Sequence, residues 1–191
     1  MESGAQPPVA RRLRCDLAEL VDAFDDASWE MSVYVDLDTG EVIHITADVR
    51  EELEAIYAEL PEEQTDEEAN KAAFASAIER RSPPAWMRDL LMEADGVESG
   101  LGTRFLRLPQ RDSHESYMDM QAFSETVAHP PLKERLWAAI RGRGAFHRFK
   151  DVLAVYPAER ERWFAFKAAR VRQRVLAWLA DERIEPLEVI R

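Results

Sequence analysis

Apolar residues recur along most of this chain at spacings of three and four and in a few stretches at a spacing of two, which predicts a helix-rich protein with a small sheet. Leu13, Leu17, Leu20, Val21 and Phe24 form a first helical stripe, with Asp16, Glu19 and Asp22 on the opposite face. Ser32–Leu37 and Glu41–Thr46 are β-rich runs separated by Asp38-Thr39-Gly40, which predicts a hairpin over 32–46. Asp48 is placed to cap a helix through Leu60 with Val49, Leu53 and Ile56 inside, and Pro61 to end it. The acidic run 61–68 reads as a solvated loop, in which Thr65 and Glu68 fit a capping box for a helix to about Arg80. Ser82-Pro83-Pro84 predicts the start of a further helix and Gly96 its stop. Phe105, Leu106 and Leu108 predict a strand over about 103–108, closed by Pro109.

In the second half, Ser116 opens a helix carrying Met120, Phe123 and Val127, which His129-Pro130-Pro131 terminates. Leu132, Leu136, Ala139 and Ile140 line the next. The longest helix runs from Pro157 to about Glu182 with Phe164, Ala168, Val171, Val175, Trp178 and Leu179 as its stripe. Residues 187–190 return as an edge strand. Trp86, Trp137, Trp163 and Trp178 all fall in helical apolar patterns and are expected in the core. The fold class is therefore α+β and helix-rich, with several helices packed on a small antiparallel sheet. Residues 1–12 read as a disordered tail, and 13–191 as a single domain with a helical, insertion-like segment over about 47–100.

Composition adds two constraints. A hydrophobic fraction of 46% with 32% charged residues belongs to globular proteins, and no apolar run approaches the roughly 18 residues of a membrane helix, so a cytoplasmic protein with no membrane partner is expected. Cys15 is the only cysteine, which excludes an intrachain disulfide and a cysteine-based zinc site. Charge is uneven: residues 1–100 hold 8 Lys+Arg against 25 Asp+Glu, residues 101–191 hold 17 against 12, and 135–174 hold 11 against 3. Such a basic block is either a footprint for a phosphate-bearing ligand or nucleic acid, or a set of helix faces matched to acidic residues of the same molecule.

The block centres on Ile140–Leu153. Gly142 stands where a helix end needs a left-handed residue and Gly144 where the next helix begins, so two helices meet at a corner. Phe146, Phe149 and Leu153 are expected to dock, Arg143, His147 and Lys150 to flank them, and Arg148 to face solvent. Free amides at a helix start beside arginines can hold a phosphate or carboxylate, which makes Arg141, Arg143, Gly144, His147, Arg148 and Lys150 candidate anion-binding residues. The run lacks the third glycine of a dinucleotide fingerprint and the Gly-Lys-Ser/Thr of a Walker loop. His44, His114, His129 and His147 are scattered without zinc spacing, and no nucleophile elbow is present. His114-Glu115 with Tyr117 and Asp119 reads as helix-start chemistry, and Asp36 and Asp38 near Gly40 as a hairpin turn instead of a calcium loop. No catalytic residue, cofactor or metal is assigned.

Tyr117-Met-Asp-Met120, Phe123, Leu136-Trp-Ala-Ala-Ile140, Gly142-Arg-Gly-Ala-Phe-His-Arg-Phe-Lys-Asp151, Trp163-Phe-Ala-Phe166 and Trp178-Leu179 together resemble uncharacterised protein family 0158, a mostly bacterial group. The resemblance is dense over about residues 101–185 and looser over 15–46. It implies an architecture and a set of characteristic residues, and no substrate. Three readings follow: a cytosolic non-catalytic binding or regulatory domain; a binder of a phosphate-bearing ligand or nucleic acid through the basic corner; and an enzyme acting on phosphate esters with His114, Asp119 or His147 in acid-base work.

Overall fold

The computed structural model describes residues 10–26, 30–60, 67–110 and 112–188. The tail over 1–9, the loop over 61–66 with Thr65 of the expected capping box, and residues 189–190 of the expected last strand lie outside them. In chain order the elements are β1 (Arg11–Cys15), α1 (Leu17–Asp26), β2 (Met31–Asp36), β3 (Val42–Thr46), α2 (Ala47–Tyr57), α3 (Glu67–Arg81), α4 (Ala85–Ser99), β4 (Phe105–Arg107), α5 (Ser113–Thr126), α6 (Pro130–Ala139), α7 (Ala145–Ala154), α8 (Pro157–Asp181) and β5 (Ile184–Glu188). The fold is α+β and helix-rich. The chain divides into two compact units, one built from residues 1–26 and 111–191, the other from 27–110.

The contiguous unit is a three-stranded antiparallel sheet in the order β3-β2-β4 with α2, α3 and α4. The hairpin forms as expected, with Val35 opposite Val42 and Tyr34 opposite Ile43. Its turn closes on Gly40, whose φ of 80° is the left-handed conformation that favours glycine. Asp36 is the pivot. Its buried carboxylate accepts the Asp38 amide at 2.7 Å and takes the Arg104 guanidinium at 2.7 and 3.1 Å, which joins the hairpin turn to the approach of β4. Tyr34, Ile45, Val49, Leu53, Ile56, Phe74, Ile78, Leu91 and Phe105 form the core. Arg81 closes α3 onto α2 with a fork to Glu52 and Glu59, each at 2.6 Å.

Several boundaries differ from the sequence pattern. Thr46, not Asp48, precedes α2. Ser82 sits at φ 48°, outside any capping geometry, so α4 begins after the second proline. Gly96 lies inside α4, where a side chain would meet nothing within 4 Å, and the helix ends at Gly100. Gly100 is needed there because a Cβ would stand 2.8 Å from the Phe105 ring. Trp86 is 62% exposed, contrary to its expected place in the core.

The discontinuous unit packs α1, α5, α6, α7 and α8, with β1 and β5 paired in parallel. Strand β1 begins inside the segment read as tail and takes Leu13 out of the expected first helix. The cause is Asp16, whose Oδ1 accepts the Ala18 and Glu19 amides at 3.0 and 3.1 Å and so starts α1 only after it. Leu13, Cys15 and Ile184 alternate inward in the strand pair. His129-Pro130-Pro131 opens α6 as well as following α5: His129 Nδ1 accepts the Leu132 amide at 3.2 Å, and the prolines occupy the first turn, where no amide is missed. Along α8 the buried positions are Trp163, Val171, Val175 and Leu179, so the stripe runs one position off the expected Phe164 and Ala168, which are exposed. Trp137 and Trp178 are half-buried.

Asp36 gives the contiguous unit a specific acid response. The Arg104 hydrogen bonds outweigh burial and lower its pKa, so its stabilising contribution is present above the ordinary aspartate value of about 4 and is lost as pH falls through the depressed one. Arg104→Leu should lower stability at neutral pH and flatten the acid limb between about pH 2 and 5, measured by urea midpoints across that range. An acid limb as steep as that of the unsubstituted protein counts against this role.

Candidate functional site

The glycine-arginine corner is closed from within. Helix α6 ends with carbonyls that have no helical partner, and Arg148, one turn into α7, turns back to meet them. Its Nε donates to the Ala139 carbonyl at 3.0 Å, its Nη1 to that of Arg143, and its Nη2 to those of Arg141 and Gly142. Arg148 therefore does not face solvent as expected; one guanidinium satisfies four carbonyls of a loop too tight to satisfy them itself. Gly142 and Gly144 hold φ near 76° and 75°, and a Cβ on Gly144 would lie 3.3 Å from Arg148 Nη1. Beyond the corner, the buried face of α7 is Ala145, Phe149 and Leu153, and Phe146 is 37% exposed instead of docked.

The other candidate cations do not converge. Arg141 lines a shallow depression with Pro130, Lys133 and Trp137, whereas Lys150 lines a separate cavity. His147 is 84% exposed with Asp151 3.4 Å from its Nε2. Among the described residues, none pairs with the side chains of Arg141, Arg143 or Lys150.

The cavity at Lys150 is more enclosed than the depression at Arg141. About 130 Å³ of space lies among α1, α5, α7 and α8. Its inner wall is apolar: Phe24, Met120, Phe149, Trp163 and Val171 are all buried. Phe149 and Trp163 meet edge to face with centroids 4.9 Å apart, and Phe123 behind them lies 5.2 Å from Trp163. Phe146 and Phe164, the latter 56% exposed, stand at the rim. The charged wall is built by α5 and α8. Asp119 has a side chain only 3% exposed, yet it accepts from Arg170 Nε at 3.0 Å and faces Arg174 Nη2 at 2.7 Å. Arg174 also reaches Glu115 at 3.2 Å, and Lys167 pairs with Asp25 of α1. Asp112 caps α5 by accepting the His114 amide at 2.7 Å. Lys150 is left as the lining charge with no partner among the described residues.

Of the residues considered for acid-base work, only Asp119 lines this cavity, and its oxygens are held by guanidinium groups; His114 and His147 do not line it. Among the described residues no group of three or more His, Cys, Asp or Glu could hold a metal ion, and no helix is long and apolar enough to cross a membrane. Lys167, Arg170 and Arg174 were not singled out from the pattern. Their signal was present: they recur at three and four beside Val171 on the same side of α8.

An aromatic core under an ion-paired cavity, with a glycine-arginine corner closed by Arg148, defines a helix-rich α+β protein whose characteristic residues cluster in one unit. Asp119, Met120, Phe123, Phe149 and Trp163, which carried the resemblance, all meet there. The family profile described as Uncharacterised protein family (UPF0158) matches residues 87–189, and the chain belongs to that family. A UPF0158 protein of Pseudomonas aeruginosa is 30% identical over 94 residues, covering 49% of this chain and 61% of the relative. One from Chlamydia muridarum is 23% identical over 168 residues, covering 87% of this chain and 39% of the relative. The chain thus spans less than two thirds of the length of both. No solved structure matches it.

The corner is open to a direct test. Gly144→Val should lower stability by about 1–3 kcal/mol, because it forces a β-branched residue into the left-handed region and against Arg148. Gly142→Ala, where a Cβ meets nothing within 4 Å, should cost only about 1 kcal/mol. Equal losses in chemical denaturation would show that the contact with Arg148 carries no weight.

Proposed function

We propose that the chain is a cytoplasmic, non-catalytic binding domain that receives a ligand group in the cavity bounded by α1, α5, α7 and α8. The observation that carries this reading is the division of labour in the cavity wall. Its acids are engaged, by Arg170, Arg174, Lys167 or a helix amide, whereas its aromatic rim and the Lys150 ammonium remain open. A hollow lined this way can enclose an apolar group and orient it by one charge, and it offers no unengaged carboxylate to act as a base. A fragment screen followed by amide chemical shifts should give hits that perturb Phe146, Lys150, Phe164 and Arg174 together. Hits that map only elsewhere, or none at all, would overturn the proposal.

A second reading keeps the basic corner as a contact for a phosphate-bearing ligand or nucleic acid. It is supported by Arg141 and Arg143, exposed and without partners among the described residues, although Arg148 is taken up inside the loop. On this reading retention on heparin falls steeply with salt and drops for Arg143→Ala with the fold unchanged. Absence of retention at low salt removes it.

A further inference from the structure

The size and charge of the cavity narrow the class of ligand, an argument that rests on the binding reading above. Apolar hollows of about 150 Å³ hold a benzene-sized group, so about 130 Å³ suits one ring or a branched aliphatic group and little more. The apolar lining provides the matching surface: Phe146 and Phe164 stand open at the rim, Trp163, Phe24 and Val171 keep a little open area within, and Phe149 and Met120 back them without a polar atom in need of a partner. The charges decide what is attached to that group. Asp25 pairs with Lys167, Glu115 and Asp119 pair with Arg174, and Asp112 is held at the start of α5. A second cation placed in this wall would meet Asp25, Glu115 and Asp119, each already paired with a cation, and Asp112, engaged by a helix amide. An anion would meet Lys150, the one lining cation without a partner among the described residues, whereas Lys167 and Arg174 are already held by Asp25, Glu115 and Asp119. Lys150 follows Phe149 directly and lies one turn beyond Phe146, so the same helix that offers the rim aromatic offers the ammonium.

We infer that this cavity binds a small organic acid, a carboxylate attached to a ring-sized or branched apolar group, with the apolar group against Trp163, Phe146 and Phe164 and the carboxylate on Lys150. Charge-assisted contact at an exposed lysine is modest, so discrimination against the uncharged analogue is expected to be about threefold to fivefold.

The test titrates the full chain with phenylacetate and with 2-phenylethanol and follows amide shifts of Phe146, Lys150, Phe164 and Arg174. Phenylacetate should bind more tightly by about threefold to fivefold; Lys150→Met should remove that advantage, and Lys150→Arg should restore it. Equal binding of the two probes, insensitive to Lys150→Met, overturns the acid class and leaves the cavity as a binding site. Failure of both probes at millimolar concentration overturns the inference as well, and if the fragment screen also gives no hit at these residues the binding reading falls with it. The exposed position of Lys150 keeps loss of fold from accounting for a lost advantage.

Discussion

A carboxylate closed off from water has to be answered by cations, and Asp119 imposes that demand on the discontinuous unit. Left alone in a low-dielectric interior it would be untenable; removing one partner from such a buried pair typically costs about 3–5 kcal/mol. Arg170 and Arg174, one helical turn apart on α8, both reach it, and Arg174 continues to Glu115 on α5. This pins α5 against α8 in one register. With that register set, Phe123 of α5 meets Trp163 of α8 edge to face, Phe149 of α7 joins them, and the space left at the charged end of the seam becomes the cavity.

Arginine also resolves the other unfavourable piece of the unit. The two left-handed glycines turn the chain so sharply after α6 that successive carbonyls point to one place, and the Arg148 guanidinium fills it. Much of the basic block is thus engaged in structural work: Lys167, Arg170 and Arg174 serve carboxylates, and Arg148 serves the main chain. Charge by unit makes the same point. Residues 1–26 and 111–191 hold 18 Lys+Arg against 18 Asp+Glu, and 27–110 hold 7 against 19, so the net charge of −12 belongs to the contiguous unit alone.

The fold class, the hairpin and the existence of most helices were legible in the pattern, because periodicity reports which face is buried wherever one face is. Capping was legible only in part. Asp16 and His129 each hold an amide beyond them, and reading them as part of a helical stripe or as a terminator moved a boundary; Ser82, a good cap by type, is held in a left-handed conformation instead. Pairing between distant segments was not legible. Nothing local in Arg11–Cys15 announces that Ile184–Glu188 lies beside it, and nothing in the spacing of Phe146 and Phe149 shows that one faces a hollow and the other a core. The candidate site is half visible in the sequence: Asp119 and Lys150 stand out there for other reasons, whereas Lys167 and Arg174 acquire meaning only once α5 and α1 are placed against α8.

The parallel pairing of β1 with β5 has a consequence for how the molecule comes into being. In synthesis β1 and α1 emerge before the other described elements, with Leu13, Cys15, Leu17 and Leu20 in need of cover, yet their partners on α8 and β5 emerge after all of these. Among the described residues of 27–110 the strands pair only with one another, so this unit has its sheet complete in the interval. That folding shortens the path between the two halves of the other unit, whose closure cost rises only slowly with the length of the intervening chain. Of the described elements, β1 and α1 are thus made before all the others and sheltered only after α8 and β5 follow. Leu13, Cys15, Leu17 and Leu20 therefore stay without their native cover until α8 and β5 have been made, a burden of synthesis that the native state does not show.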